Sequence, residues 1–146
     1  MVYRTPLWDY IRRPRPLVAF STILIYLCLV PFALLDLCIE IYQTICFPIF
    51  GIPRVRRSDY FVLDRALLPY LNSLQKLNCL YCSYANGLIG YIAEIAGRTE
   101  QRWCPIQHAR PVLHPHGRYR YFLPYGNGAA FQKRIDALSS DFSDIR

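Results

Sequence analysis

The chain has 146 residues, 53% of them apolar and 15% aromatic, and carries a net charge of +7 from 17 basic and 10 acidic side chains. That is material for one domain, and the absence of a Gly-rich phosphate loop, a GxSxG elbow and a His-Glu-x-x-His pair excludes the commonest enzyme classes. The basic excess, almost entirely arginine, suggests nucleic acid, and Arg118-Tyr119-Arg120-Tyr121-Phe122 interleaves cations with aromatics; arginine and tyrosine beside an apolar segment are, however, the pattern of interfacial anchoring, so anionic lipid accounts for the charge and no nucleic-acid partner is expected.

Residues 1–16 read as a basic arm with Arg4, Arg12, Arg13 and Arg15, and residues 17–50 as a membrane segment. From Leu17 to Leu35 there are 19 consecutive uncharged residues, and about 20 suffice to cross a hydrocarbon core of roughly 30 Å as a helix. A cleaved signal peptide fits less well, because its apolar stretch runs to roughly 7–15 residues and ends at small residues, whereas this one continues into Asp36-Leu37-Cys38-Ile39-Glu40. Past residue 35 a continuing helix puts Asp36, Glu40, Gln43 and Thr44 on one stripe, at i, i+4, i+7 and i+8. The stripe then faces either the interface and the protein's own soluble part or, at depth, a partner subunit's cation or a metal. A helix from Leu17 to Phe47 is about 46 Å long, so it tilts and protrudes or bends at Pro31.

The far flank carries Arg54, Arg56, Arg57 and Arg65, which balances the four arginines of the arm. A single span predicts asymmetry, and a re-entrant hairpin bent at Pro31 predicts this symmetry; both topologies stay open. In either, Arg12, Arg13, Arg15, Arg54, Arg56 and Arg57 are expected at lipid headgroups.

Phe47-Pro48-Ile49-Phe50-Gly51-Ile52-Pro53 is a breaker-rich exit from the membrane segment. Residues 51–110 then read as a small helical Cys/His-rich domain: a short helix or extended piece over Asp59 to Leu68, and a long helix from Leu71 to Ala96, capped by Gly97 in the left-handed conformation. The uncharged run Leu77 to Ala93 contains Asn78, Ser83, Asn86, Gly87 and Gly90, so a helix buried in protein or lying in the interface is expected there, with its small residues admitting another backbone.

Cys79 and Cys82 are i and i+3 on that helix. Cys104 precedes Pro105, which suits the first position of a new helix, so Cys104 is expected at a helix amino terminus with His108 one turn inside. Two close ligand pairs separated by about 20 residues recur in structural zinc sites, and Cys79, Cys82, Cys104 and His108 are the candidate ligands of one Zn, with iron or an iron-sulfur cluster as alternatives. Without metal, Cys104 is a candidate reactive thiolate, supported by the helix terminus and by Arg98 or Arg102. The bland alternative is that these cysteines pack as small hydrophobes.

Asn78-Cys79-Leu80-Tyr81-Cys82 and Thr99-Glu100-Gln101-Arg102-Trp103-Cys104-Pro105-Ile106-Gln107-His108-Ala109 resemble a family of short bacterial membrane proteins with NCxYC and TEQxWCPIxHA elements. The resemblance extends from about Pro48 to His108. It implies a bacterial inner-membrane setting and carries no catalytic residue.

Residues 111–146 read as an irregular tail, with a short helix over Ala129 to Leu138 and a polar, mobile end; His114 and His116 are expected to be solvated, with a metal ligand as the alternative. The chain as a whole is expected to be an all-α, membrane-anchored protein whose Cys/His-rich part is cytoplasmic, because thiolate ligands survive reduced there. Its expected role is that of a metal-binding accessory or assembly subunit of a larger membrane complex, in contact with lipid. A redox protein or enzyme using iron, a cluster or a dithiol at the same site is the alternative.

Overall fold

Among the described residues the chain forms four α-helices, α1 Pro16–Leu27, α2 Leu29–Phe50, α3 Ser73–Trp103 and α4 Gly128–Ser140, with 3-10 turns at Arg57–Asp59, Asp64–Leu67 and Gly117–Tyr121. The computed structural model describes residues 6, 8 and 16–145. No strand occurs among them; an isolated parallel bridge joins Ile106 to Leu123. The mainly helical reading holds, and so does the long apolar helical stretch near the amino terminus, Phe20–Phe50.

Local chemistry explains the helix ends. Pro31 has no N–H and its ring crowds the carbonyl one turn back, so α1 stops at Leu27. Cys28 N bonds to Ile25 O at 3.1 Å, and the helical pattern resumes with Phe32 N on Cys28 O at 3.2 Å. At the other end of α2, Gly51 has φ +69°, with Ile52 N on Phe47 O and Gly51 N on Pro48 O. This is a Schellman ending, which requires the left-handed residue that glycine supplies most cheaply. Helix α3 opens on a reciprocal capping box: Asn72 Oδ1 accepts from Gln75 N, and Gln75 Oε1 accepts from Asn72 N, both at 2.9 Å.

Gly97 does not end α3, contrary to its reading as a cap. The helix runs six residues further, to Trp103, and Gly97 stands where a Cβ would lie 2.6 Å from His116 Nδ1. The glycine serves close packing here rather than a turn. Two arginines in this continuation have structural work: Arg98 Nη1 donates to Pro53 O at 2.7 Å and Arg102 Nε to Phe50 O at 3.1 Å, satisfying carbonyls at and just beyond the end of α2 that no helical N–H reaches.

The contacts divide the chain into two compact units that are not consecutive stretches of sequence. The first comprises Met1–Leu37 and Arg57–Ile89, the second Cys38–Arg56 and Gly90–Arg146. In the first, Tyr26 Oη donates to Asn78 Oδ1 at 2.5 Å, and Tyr84 Oη to Asp36 Oδ2 at 2.9 Å. Residue numbers rise together along both sides of this contact, so the helices run parallel within the unit. Parallel neighbours need a return segment; in this unit part of it, residues 57–72, passes α3 closely enough that a Cβ on Gly87 would lie 2.7 Å from Tyr60 O. The backbone expected to approach the small residues of this helix is thus the chain's own.

The second unit repeats the parallel pairing, through Tyr91 on Glu40, Thr99 on Tyr42 and Arg102 on Phe50. It has an apolar core of Phe47, Ile52, Val55, Tyr91, Ile95, Phe122 and Leu123, each no more than 5% exposed. The tail belongs to this unit: Phe142 is buried, and Gln101 Nε2 donates to Leu138 O and Asp141 O beyond the middle of α4.

Candidate functional site

Cys79 and Cys82 lie in the first unit, Cys104 and His108 in the second. Four ligands of one Zn or iron centre must lie within about 2.3 Å of the metal. Among the described residues no group of three or more His, Cys, Asp or Glu side chains gathers as metal ligands would.

No new helix starts at Pro105; Cys104 N bonds to Glu100 O at 2.7 Å and closes the carboxyl end of α3. Residues 104–110 are extended or bent, held by Leu123 N on Pro105 O and Gln107 N on Leu123 O, each at 2.8 Å. The partial charge of the helix at Cys104 is negative, opposite in sign to that expected to support a thiolate. Arg98 and Arg102, expected to assist it, donate to Pro53 and Phe50 instead. His108 is exposed, stacks on Tyr119 with ring centroids 5.9 Å apart, and donates its backbone N–H to Tyr119 Oη.

The acidic stripe is the feature the structure uses most. In the first unit Asp36 takes a two-pronged bond from Arg57, at 2.5 and 2.8 Å, and a third from Tyr84. In the second, Gln43, 1% exposed, accepts from Val55 N at 2.7 Å and donates to Tyr91 Oη at 2.7 Å; Tyr91 in turn donates to Glu40 Oε2 at 2.9 Å. Arg54 Nη2 bridges Glu40 Oε1 and Thr44 Oγ1 at 3.2 and 3.0 Å. All four residues of the stripe face this chain's own following segments. Arg54 and Arg57, expected at headgroups, are thereby engaged by Glu40 and Asp36 while staying half exposed. Arg56 is exposed, and Arg12, Arg13 and Arg15 lie outside the described residues.

Two groups in the tail carry more than its composition announces. His116 is not solvated: its Nε2 lies 2.8 Å from Glu100 Oε2, and its ring packs over Gly97 beside Tyr119 and Phe122. Arg118, expected among interfacial cations, is 4% exposed. A buried arginine requires anionic or hydrogen-bonding partners, but nothing in the Arg-Tyr alternation distinguishes Arg118 from Arg120. The chain matches none of the protein-family models, curated proteins or solved structures with which it was compared.

Proposed function

We propose that the chain is a membrane-anchored accessory or assembly subunit of a bacterial membrane complex, held in the bilayer by α1 and the first half of α2, with its cysteine-bearing part on the cytoplasmic side. One observation carries the reading: the apolar side chains of that stretch are turned outward. Ile23 is 66% exposed, Leu27 64%, Val30 58% and Leu34 59%. The buried core helix of a soluble protein can match such a segment in length and composition, but none of the most apolar window here is buried. A continuous apolar surface of this extent requires a lipid or protein cover. The six cysteines are all unpaired, which suits a reducing compartment.

The accessory role is supported by what the polar groups do. Asp36, Gln43, Arg98 and Arg102 each hold one segment of the chain against another, which is the work of a scaffold. The anchor is tested by washing membranes with high salt and then alkaline carbonate. The protein stays in the pellet through both if α1 and α2 enter the hydrocarbon, whereas attachment through arginines alone is released by salt. Release by carbonate overturns the reading.

A further inference from the structure

The second unit contains a cleft of about 460 Å³ whose lining includes Gln101, Arg118, Arg120, Arg134, Asp141 and Asp144. That volume is within the range of small-ligand sites. Arg118 forms its wall and is more than nine-tenths buried. Its Nη1 donates to Gln101 Oε1 at 2.5 Å, and its Nη2 faces both oxygens of Asp144, at 3.2 and 3.3 Å. Its buried Nε makes no hydrogen bond; the nearest carboxylate oxygen, Glu94 Oε1, is 3.5 Å away and already accepts from Arg98 at 2.8 Å.

The charges around the cleft do not balance. Asp141 is turned to Ser143, whose hydroxyl and N–H bond to its carboxylate at 2.6 and 3.1 Å and hold its pKa below the usual range. Among the described residues neither Arg120 nor Arg134 pairs with a carboxylate; Arg120 lies over the Tyr121 ring at 4.9 Å. Of the carboxylates near Arg118, Asp144 is the one that meets its Nη2, and it holds its place weakly. Its distances to Arg118 exceed the roughly 2.7–2.9 Å of a well-formed charge-assisted bond, and its side chain is 48% exposed.

We propose that this cleft is a binding site for a phosphate-bearing ligand, in which the phosphate is held by Arg118, Arg120 and Arg134 and displaces the Asp144 carboxylate that occupies the buried guanidinium in the free protein. Arginine suits this task because its planar fork meets phosphate oxygens in pairs. Gln101 fixes Arg118 from behind while binding the end of α4, so the guanidinium is positioned before the ligand arrives. The phosphate belongs either to a soluble metabolite or to a lipid headgroup, and both present the same group to the cleft.

The test uses the full chain in detergent at low ionic strength, titrated calorimetrically with inorganic phosphate, and in parallel in phosphatidylcholine nanodiscs with and without phosphatidylglycerol, followed by Tm. Asp144→Asn removes the internal competitor, and since a half-exposed pair is worth at most about 1 kcal/mol it should tighten phosphate binding about threefold to fivefold. Arg134→Gln, at an exposed position that leaves Arg118 in place, should weaken it about tenfold, the usual effect of losing a bond to a charged group. Saturation by inorganic phosphate with these two opposite shifts supports the site and a soluble source. A Tm increase that needs phosphatidylglycerol and is lost in Arg134→Gln supports the site and a headgroup source. If neither probe binds saturably, or if Asp144→Asn weakens binding or leaves it unchanged, Asp144 is a structural partner of Arg118 and the proposal is overturned.

Discussion

The two units put their apolar side chains in different places. The second buries Phe47, Tyr91, Ile95 and Leu123 almost completely, whereas among the described residues the first has only Ala85 and Leu88 as buried apolar residues and leaves Leu17, Ile23, Leu27, Val30 and Leu34 largely exposed. Helix α2 supplies both: its buried residues are Gln43 and Phe47, on the second unit's side of the division. Hydropathy along α2 does not predict this difference. It follows from partners, because the second unit folds a tail over its helices while the first, among the described residues, sets α1 and the start of α2 against α3 and the return segment alone. A unit that exposes its most apolar residues is stabilised by what surrounds it, which is the part the proposed bilayer anchor assigns to lipid.

The sharpest way to break that comparison is to truncate one apolar residue in each unit. Phe47→Ala removes a side chain with no exposed surface and should cost about 3–5 kcal/mol of unfolding free energy in detergent, from lost burial and the cavity left behind. Leu34→Ala should change it by less than about 0.5 kcal/mol. Denaturant titration of both variants decides: equal losses mean that Leu34 is packed against protein, and the contrast between the units fails.

A smaller effect separates the two glycines of α3. In Gly87→Ala the new methyl meets a backbone carbonyl, Tyr60 O at 2.7 Å, which cannot rotate away. Overpacking of this kind costs about 1–3 kcal/mol, against roughly 1 kcal/mol gained in helix propensity, so a net loss of about 1 kcal/mol is expected. In Gly97→Ala the methyl meets the His116 ring, a side chain that can turn aside by giving up its bond to Glu100. That variant should be close to neutral alone and stabilising by up to about 1 kcal/mol in a His116→Ala background. Thermal unfolding of the four proteins checks the sign, and a penalty at Gly97 that survives removal of His116 contradicts the assignment.

These glycines also show what the sequence could convey. The apolar run, the break caused by Pro31 and the acidic stripe were legible because each depends on spacing within one helix, and all four stripe residues found partners in the segments that follow them. Gly97 and the Cys104-Pro105 pair misled because short-range punctuation is ambiguous when its partner is distant. Gly97 reads as a cap until His116 is known to pack on it, and Pro105 reads as a helix start until Pro105 O and Gln107 N are known to bond Leu123. Arg118 was hidden for the same reason, since its burial depends on Gln101 and Asp144, 17 residues before and 26 after it.

The smallest expected effect bears most directly on the expected four-ligand metal centre. Cys82 and Cys104 are exposed and Cys79 is half-buried, so each Cys→Ala change should alter stability by no more than about 0.5 kcal/mol at the exposed positions and modestly more at Cys79. More telling is how the changes combine. Ligands of one metal are coupled, because losing the first forfeits most of the binding energy and leaves little for the second to remove. The effects of residues that share no partner should add within about 0.3–0.5 kcal/mol. A double-mutant cycle of Cys79→Ala and Cys104→Ala, read by unfolding and by elemental analysis of protein purified without chelators, distinguishes the two. We expect additivity, and no zinc or iron whose stoichiometry falls in both single variants. A metal lost equally from each, with strong coupling in stability, would show that the two cysteine elements share one centre.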